Sequence, residues 1–187
     1  NKIWKTGIFT NKGPFHEELE RKLEKYLKVK YLSLFSSGTT ALITSLFASN
    51  IKGEVITTPY SFVATANSIL RAGAKPVFVD IDPISMNIDP SKIQRAITKN
   101  TTAIMPVHSY GNPSDVSKIK KIAKKNNLKV IYDAAPSFGV TDRGGSVLRH
   151  GDLSVLSFHA TKVFSTIEGG AIISPTLKMK ARIDKLR

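Results

Sequence analysis

Six short runs, EVITTP (54–59), KPVFVDID (75–82), TTAIMPV (101–107), LKVIYDAA (128–135), LSVLSF (153–158) and GAIIS (170–174), constrain the fold of this chain more than any other feature. Several are apolar almost throughout, the pattern of strands buried on both faces of a sheet, and the connections between them are long enough for crossover helices. Such alternation predicts an α/β layered fold with a mostly parallel sheet and helices on both faces. Ligands bind to such sheets beyond the carboxyl ends of the strands, so the residues that follow each run are the ones to inspect.

HEELERKLEKYLKVK (16–30) and DVSKIKKIAKKNNLK (115–129) repeat apolar residues every three or four positions, which predicts helices with lysine-rich outer faces. The formal charge of +14 is spread over such faces. With no aromatic-interleaved basic stripe and no helix-turn-helix or RNA-binding signature, it argues against a nucleic-acid partner. At 187 residues the chain suits one sizeable core. The lack of cysteine removes any disulfide framework or thiolate metal site, and no metal is expected. No basic-apolar leader or membrane-length apolar run is present, so a soluble, cytoplasmic protein without a membrane partner is expected. LKMKARIDKLR (177–187) is still helical in pattern where the chain stops. Residues 1–187 are therefore expected to be one incomplete domain of a longer protein, with no second domain present.

At LSLFSSGTTAL (32–42) an apolar stretch gives way to hydroxyl and glycine residues and then to helix formers. A helix starting near Gly38 would present free backbone N–H groups, with the hydroxyls of Thr39 and Thr40 as further donors, which together make a phosphate cradle. The alternative is that Ser37 or Thr39 serves only as an N-cap. It is neither a Walker loop nor a GxGxxG fingerprint, which makes a nicotinamide-dependent enzyme the poorer reading. In VITTPYSFVATANSIL (55–70) a helix is expected from about Ser61, leaving Phe62 in its first turn, either as core or as a flat surface for a planar ligand. Asp133 ends an apolar strand, where an ionised carboxylate needs a partner, a turn role or water. Asp80 ends another and cautions against reading every such carboxylate as catalytic. LSVLSFHATKVF (153–164) then delivers Ser157, His159 and Lys162 in quick succession. A strand-end aspartate, a lysine and a hydroxyl/glycine helix start are the three parts needed to hold pyridoxal 5′-phosphate: a partner for its ring nitrogen, an amine for its carbonyl, and a cradle for its phosphate.

SSGTTAL, TTPYSFVATANSI, PVFVDIDP, AIMPVHSYGNP, IYDAAPSFG and LSFHATKVFSTIEGGAI, in this order, resemble the pyridoxal-phosphate-dependent nucleotide-sugar aminotransferases of the DegT/StrS type. The resemblance runs through nearly the whole chain. It implies an aspartate-aminotransferase-like (fold type I) large domain with a mostly parallel seven-stranded sheet, the C-terminal small domain lying outside this chain. The implied reaction moves an amino group from an amino-acid donor, glutamate by the resemblance, to a keto-deoxy sugar nucleotide such as dTDP-4-keto-6-deoxyglucose, for surface polysaccharide or related amino-sugar biosynthesis. The implied assembly is a homodimer with a shared active site. Carried over by motif, Lys162 binds the cofactor covalently and Asp133 pairs with the pyridine nitrogen. Gly38, Thr39, Thr40 and Ser157 contact the phosphate, Phe62 stacks on the ring, and His159 lies beside the lysine. TNKGPFHEELE (10–20) resembles the family's entry strip along the substrate cleft. One position departs: the family's Asp-Ala-Ala is usually followed by His or Gln, which reaches the cofactor's phenolic oxygen, whereas this chain has Pro136, which offers no donor, and then Ser137. Some relatives are dehydratases with histidine in place of the lysine, and others would keep the scaffold without catalysis. Lys162 favours transamination over dehydration.

Overall fold

The computed structural model describes residues 2–8 and 12–187. The first two residues of the stretch that resembles an entry strip, 10 and 11, lie outside them. The strands are β1 (Tyr31–Phe35), β2 (Glu54–Thr57), β3 (Lys75–Phe78), β4 (Thr101–Ile104), β5 (Lys129–Asp133), the short pair β6 (Thr141–Asp142) and β7 (Gly145–Ser146), β8 (Leu153–Ser157) and β9 (Gly170–Ser174). All except β6 and β7 join one seven-stranded sheet in the order β1-β9-β8-β5-β4-β2-β3. β9 runs antiparallel to both its neighbours, β1 and β8. The pairs β5–β8, β4–β5, β2–β4 and β2–β3 are parallel. The mostly parallel α/β sheet expected from the apolar runs is therefore present.

The helices are α1 (Lys2–Thr6), α2 (Pro14–Leu27), α3 (Gly38–Ala48), α4 (Val63–Arg71), α5 (Pro90–Ala96), α6 (Val116–Lys125) and α7 (Leu177–Leu186). Leu42 and Leu46 of α3, Ile69 of α4 and Ile183 of α7 pack with Val55, Ile131, Val155 and Ile172 on one face of the sheet. Leu23 and Leu27 of α2 cover β1, β8 and β9 on the other face, beside Ile93 of α5 and Ile119 of α6 over β2, β4 and β5. This two-sided cover explains why β2, β8 and β9 are buried at every residue. β3, at the sheet edge, is the exception and is half-exposed. Its Pro76 is tolerated there because one side of an edge strand needs no ladder donor.

An ionic knot holds β1 in place. Glu20 of α2 accepts hydrogen bonds from the Leu34 N–H (3.0 Å), Lys180 Nζ (3.1 Å) and Arg187 Nη1 (2.6 Å). Burial works to raise the pKa of Glu20, but these donors outweigh it and hold the carboxylate at about 2. α2, β1 and α7 are thereby tied together just before the chain turns into α3.

Candidate active site

The end of β1 and the start of α3 form a cradle. Ser37 is the N-cap: its Oγ accepts from the Thr40 N–H (3.1 Å) while Thr40 Oγ1 accepts from the Ser37 N–H (3.2 Å), a reciprocal capping box. The first N–H groups of a helix have no acceptor within it. The cap takes that of Thr40, leaving those of Gly38 and Thr39 beside a cavity of about 440 Å³ that both residues line. Thr40 does not line this cavity; its hydroxyl is engaged in the cap and it lines a separate cavity with Ser36 and Thr44. Glycine is required at position 38, where a Cβ would stand 2.9 Å from the Cβ of Ser157. Gly170 makes the close approach possible from below. It pairs with Phe35 on one side and Ser157 on the other, and a Cβ there would come within 2.7 Å of the Ser37 carbonyl and the Gly38 nitrogen.

Asp133 closes β5 at the centre of the sheet and is only 4% exposed. Its Oδ2 accepts from Thr65 Oγ1 (2.7 Å) and its Oδ1 from the Ala135 N–H (3.2 Å). Burial pushes its pKa above the usual carboxylate range; the Thr65 hydroxyl, the Ala135 N–H and the charge of Lys162 oppose the rise. Two of the carboxylate's roughly four acceptor directions are thus occupied. Its backbone is fixed as well, the Asp133 carbonyl accepting from the His108 N–H at 3.0 Å.

Lys162 follows β8 on a turn closed by its own N–H to the His159 carbonyl (2.9 Å). It lines both the first cavity and an adjoining one of about 420 Å³; Phe62, Asp133 and Ala135 are also common to the two. His159 lines the first cavity, with Nδ1 2.9 Å from Thr161 Oγ1 and Nε2 3.6 Å from a Glu168 carboxylate oxygen. Ser157 lines it too, its Oγ accepting from the His159 N–H at 3.3 Å. Phe62 is not core: it is 75% exposed on the rim of both cavities. Pro136 lines the second cavity, whereas Ser137 lines neither. Ser137 is fully buried with an unpartnered Oγ, so it does not stand in for the polar side chain that Pro136 lacks.

Two further features belong to the site. The strand ends do not point to Thr65, although Ser61, Thr65 and Ser68 at spacings of four and three mark one polar stripe on α4 and its approach, with Thr65 and Ser68 buried. Tyr60 and Tyr110 meet at the mouth of the second cavity, their phenol oxygens 2.6 Å apart. Tyr110 holds a left-handed backbone (φ 57°) to do so. That contact joins residues far apart in sequence and leaves no local trace.

Taken together, the cavity offers N–H groups and a hydroxyl to an anion at the start of α3 and an aromatic face to a planar body. It also offers a buried carboxylate to a cationic nitrogen and a primary amine to an electrophilic carbon. Its size suits a small cofactor with substrate beside it.

Comparison with known proteins matches these features to one group. The family model described as the DegT/DnrJ/EryC1/StrS aminotransferase family matches residues 1–187. A Shigella dysenteriae protein named dTDP-4-amino-4,6-dideoxy-D-glucose transaminase is 65% identical over 185 residues, 99% of this chain and 50% of the relative. A crystal structure of DesI in the presence of its TDP-sugar product superposes with a TM-score of 0.96 at 32% identity, covering 99% of this chain and 47% of that one. The structure of NtdA from Bacillus subtilis with bound cofactor PMP gives 0.90 at 39% identity, covering 97% and 41%. The chain spans about half the length of the curated relatives it matches. No helix among the described residues is long and apolar enough to cross a membrane.

Proposed function

The chain belongs to the DegT/DnrJ/EryC1/StrS aminotransferase family, and from that premise we propose that its cavity is the cofactor site of a pyridoxal-phosphate-dependent nucleotide-sugar aminotransferase. The observation that carries the reading is the meeting of Lys162, Asp133, Phe62 and the glycine-started helix α3 around one cavity. The residues fit the group: the Gly38–Ser157 approach leaves room for backbone N–H donors only, and Asp133 keeps free acceptor capacity.

Bound there, pyridoxal phosphate supplies a carbonyl carbon that exchanges amines and a ring that accepts electron density. The Gly38 and Thr39 N–H groups and the Ser157 hydroxyl would hold its phosphate. Phe62 would offer its aromatic face to the ring. Asp133 would accept the hydrogen bond of the ring nitrogen and favour its protonated form. Lys162 Nζ would hold the group covalently and, when free, would be the base placed to take up and return a proton. His159 stands next to the lysine, oriented by Thr161 and Glu168. A lysine at position 162 suits transamination, since it both binds and shuttles.

The names of relatives, among them a dTDP-4-amino-4,6-dideoxy-D-glucose transaminase, a 3-oxo-glucose-6-phosphate:glutamate aminotransferase and a spore coat polysaccharide biosynthesis protein, support dTDP-4-keto-6-deoxyglucose as the amino acceptor, glutamate as donor and a place in polysaccharide synthesis, which we read as that of a surface polysaccharide such as O-antigen. The protein is read as cytoplasmic, and residues 1–187 as the cofactor-binding large domain. The exposed Phe62 and Tyr110, which line the cavities, and the exposed Val63, Val163 and Ile167, next in sequence to the lining residues Phe62, Lys162 and Glu168, support a second copy covering this face, giving a homodimer with a shared active site. The test is product formation by the full-length protein with pyridoxal phosphate, glutamate and dTDP-4-keto-6-deoxyglucose, followed by mass spectrometry. Amino-sugar nucleotide is expected from the wild type and none from Lys162→Ala. Cofactor binding without amino-group transfer to any keto-sugar nucleotide would leave a binding-only relative.

A further inference from the structure

Asp133 is not a bare carboxylate at a strand end; it terminates a line of two hydroxyls that runs in from the second cavity. Thr65 Oγ1 donates to Asp133 Oδ2 at 2.7 Å, and Ser61 Oγ lies 2.5 Å from Thr65 Oγ1. Thr65 is 1% exposed, whereas Ser61 is partly exposed and lines the second cavity. A hydroxyl has one proton to donate. If Thr65 gives its proton to Asp133, Ser61 must give its own to Thr65, and the line points from the cavity to an ionised carboxylate. A proton on Asp133 Oδ2 would make the carboxyl the donor there and reverse the line. With Thr65 donating, Oδ2 is held as an acceptor, and hydrogen bonds in such chains polarise one another.

We propose that Thr65, with Ser61 behind it, is a positioning residue that holds Asp133 ionised and aims its free oxygen lone pairs at a protonated heterocyclic nitrogen in the cavity. The inference rests on the pyridoxal-phosphate reading above and adds the device that sets the ring nitrogen's proton. Without it, burial alone favours a neutral carboxyl, which would compete with the ring nitrogen for the proton instead of stabilising it. The other charged or titratable side chains facing this part of the cavity are Lys162, His159 and Glu168, with Tyr60 and Tyr110 at the mouth of the second. None of them is hydrogen-bonded to Asp133 among the described residues, so Thr65 is the side chain that fixes its orientation.

The experiment loads full-length wild type, Thr65→Val, Thr65→Ser and Ser61→Ala with pyridoxal phosphate labelled with ¹⁵N in the ring, and follows the nitrogen's NMR shift against pH alongside the dissociation constant. In the wild type the nitrogen is expected to stay protonated across neutral pH. Thr65→Val should lower the pH at which that proton is lost by about one unit and weaken binding about tenfold. Thr65→Ser should restore both to near wild-type values. Ser61→Ala should shift the titration the same way by a smaller amount, and it decides the matter if Thr65→Val does not fold. A nitrogen that titrates as in the wild type in Thr65→Val, or in Ser61→Ala where the valine variant is not obtained, overturns this inference and leaves the cofactor assignment standing. A wild type that takes up no pyridoxal phosphate overturns both.

Discussion

A Cβ added to Gly38 would stand 2.9 Å from the Cβ of Ser157, so the first turn of α3 touches the end of β8 only because residue 38 has no side chain. Gly38→Ala must push the two apart and carry the N–H groups of Gly38 and Thr39 out of line with the anion they are assigned. Pyridoxal phosphate affinity is expected to fall at least about tenfold, or about 1.4 kcal/mol, as measured by fluorescence titration. Unchanged affinity would place the anion elsewhere.

Phe62 separates binding from stability. It is 75% exposed, so Phe62→Ala should change the unfolding free energy by less than about 0.5 kcal/mol. Loss of the aromatic face should weaken cofactor binding by about 0.5 to 1.5 kcal/mol, roughly two- to tenfold. Denaturant unfolding and cofactor titration on the same variant check the split. A large loss of stability with unchanged binding would make it a packing residue.

His108 ties the site to pH. Its ring is stacked on Tyr132 with centroids 4.6 Å apart, and its Nδ1 accepts from the Ser114 N–H at 3.0 Å. Burial holds its pKa down at about 4; the nearby His150 adds to the fall and Asp142 opposes it. The unfolded state therefore binds the extra proton first, and stability attributable to this residue is present above pH 6.5 and is lost as pH falls towards 4. The expected slope in that window is up to about 1.4 kcal/mol per pH unit. His108→Gln should remove this residue's share of the slope and leave that of His150, whose pKa burial also lowers, as read by urea unfolding at several pH values.

Val163 and Ile167, next in sequence to the cavity residues Lys162 and Glu168, are 90% and 78% exposed. If a second copy covers them, as proposed, the full-length wild type should sediment as a dimer and Val163→Asp with Ile167→Asp as a monomer, because charges desolvated in an interface core are costly. Sedimentation unchanged from the wild type would remove this face from the assembly.

The fold and the site were not equally legible. Apolar runs carry their own signal, so β2, β4, β5, β8 and β9, the place of Asp133 at the end of β5 and that of Lys162 shortly after β8 could be read from local composition. The helix expected from about Ser61, with Phe62 in its first turn, starts instead at Val63 with Phe62 as its cap, and the Ser61 hydroxyl is directed to Thr65. Thr40 looked like a phosphate donor, but its hydroxyl completes the capping box with Ser37, a choice that depends on backbone angles the sequence does not display. The bond from Thr65 to Asp133 joins residues 68 apart, and only the finished sheet brings them together.

Borohydride reduction of the full-length protein loaded with pyridoxal phosphate, followed by peptide mass mapping, tests the cofactor assignment most directly. Reduction fixes the bond between lysine and cofactor as a stable amine. A phosphopyridoxyl mass on the peptide containing Lys162, absent from Lys162→Ala, is the expected result. Label on a different lysine, or none at all, would contradict it.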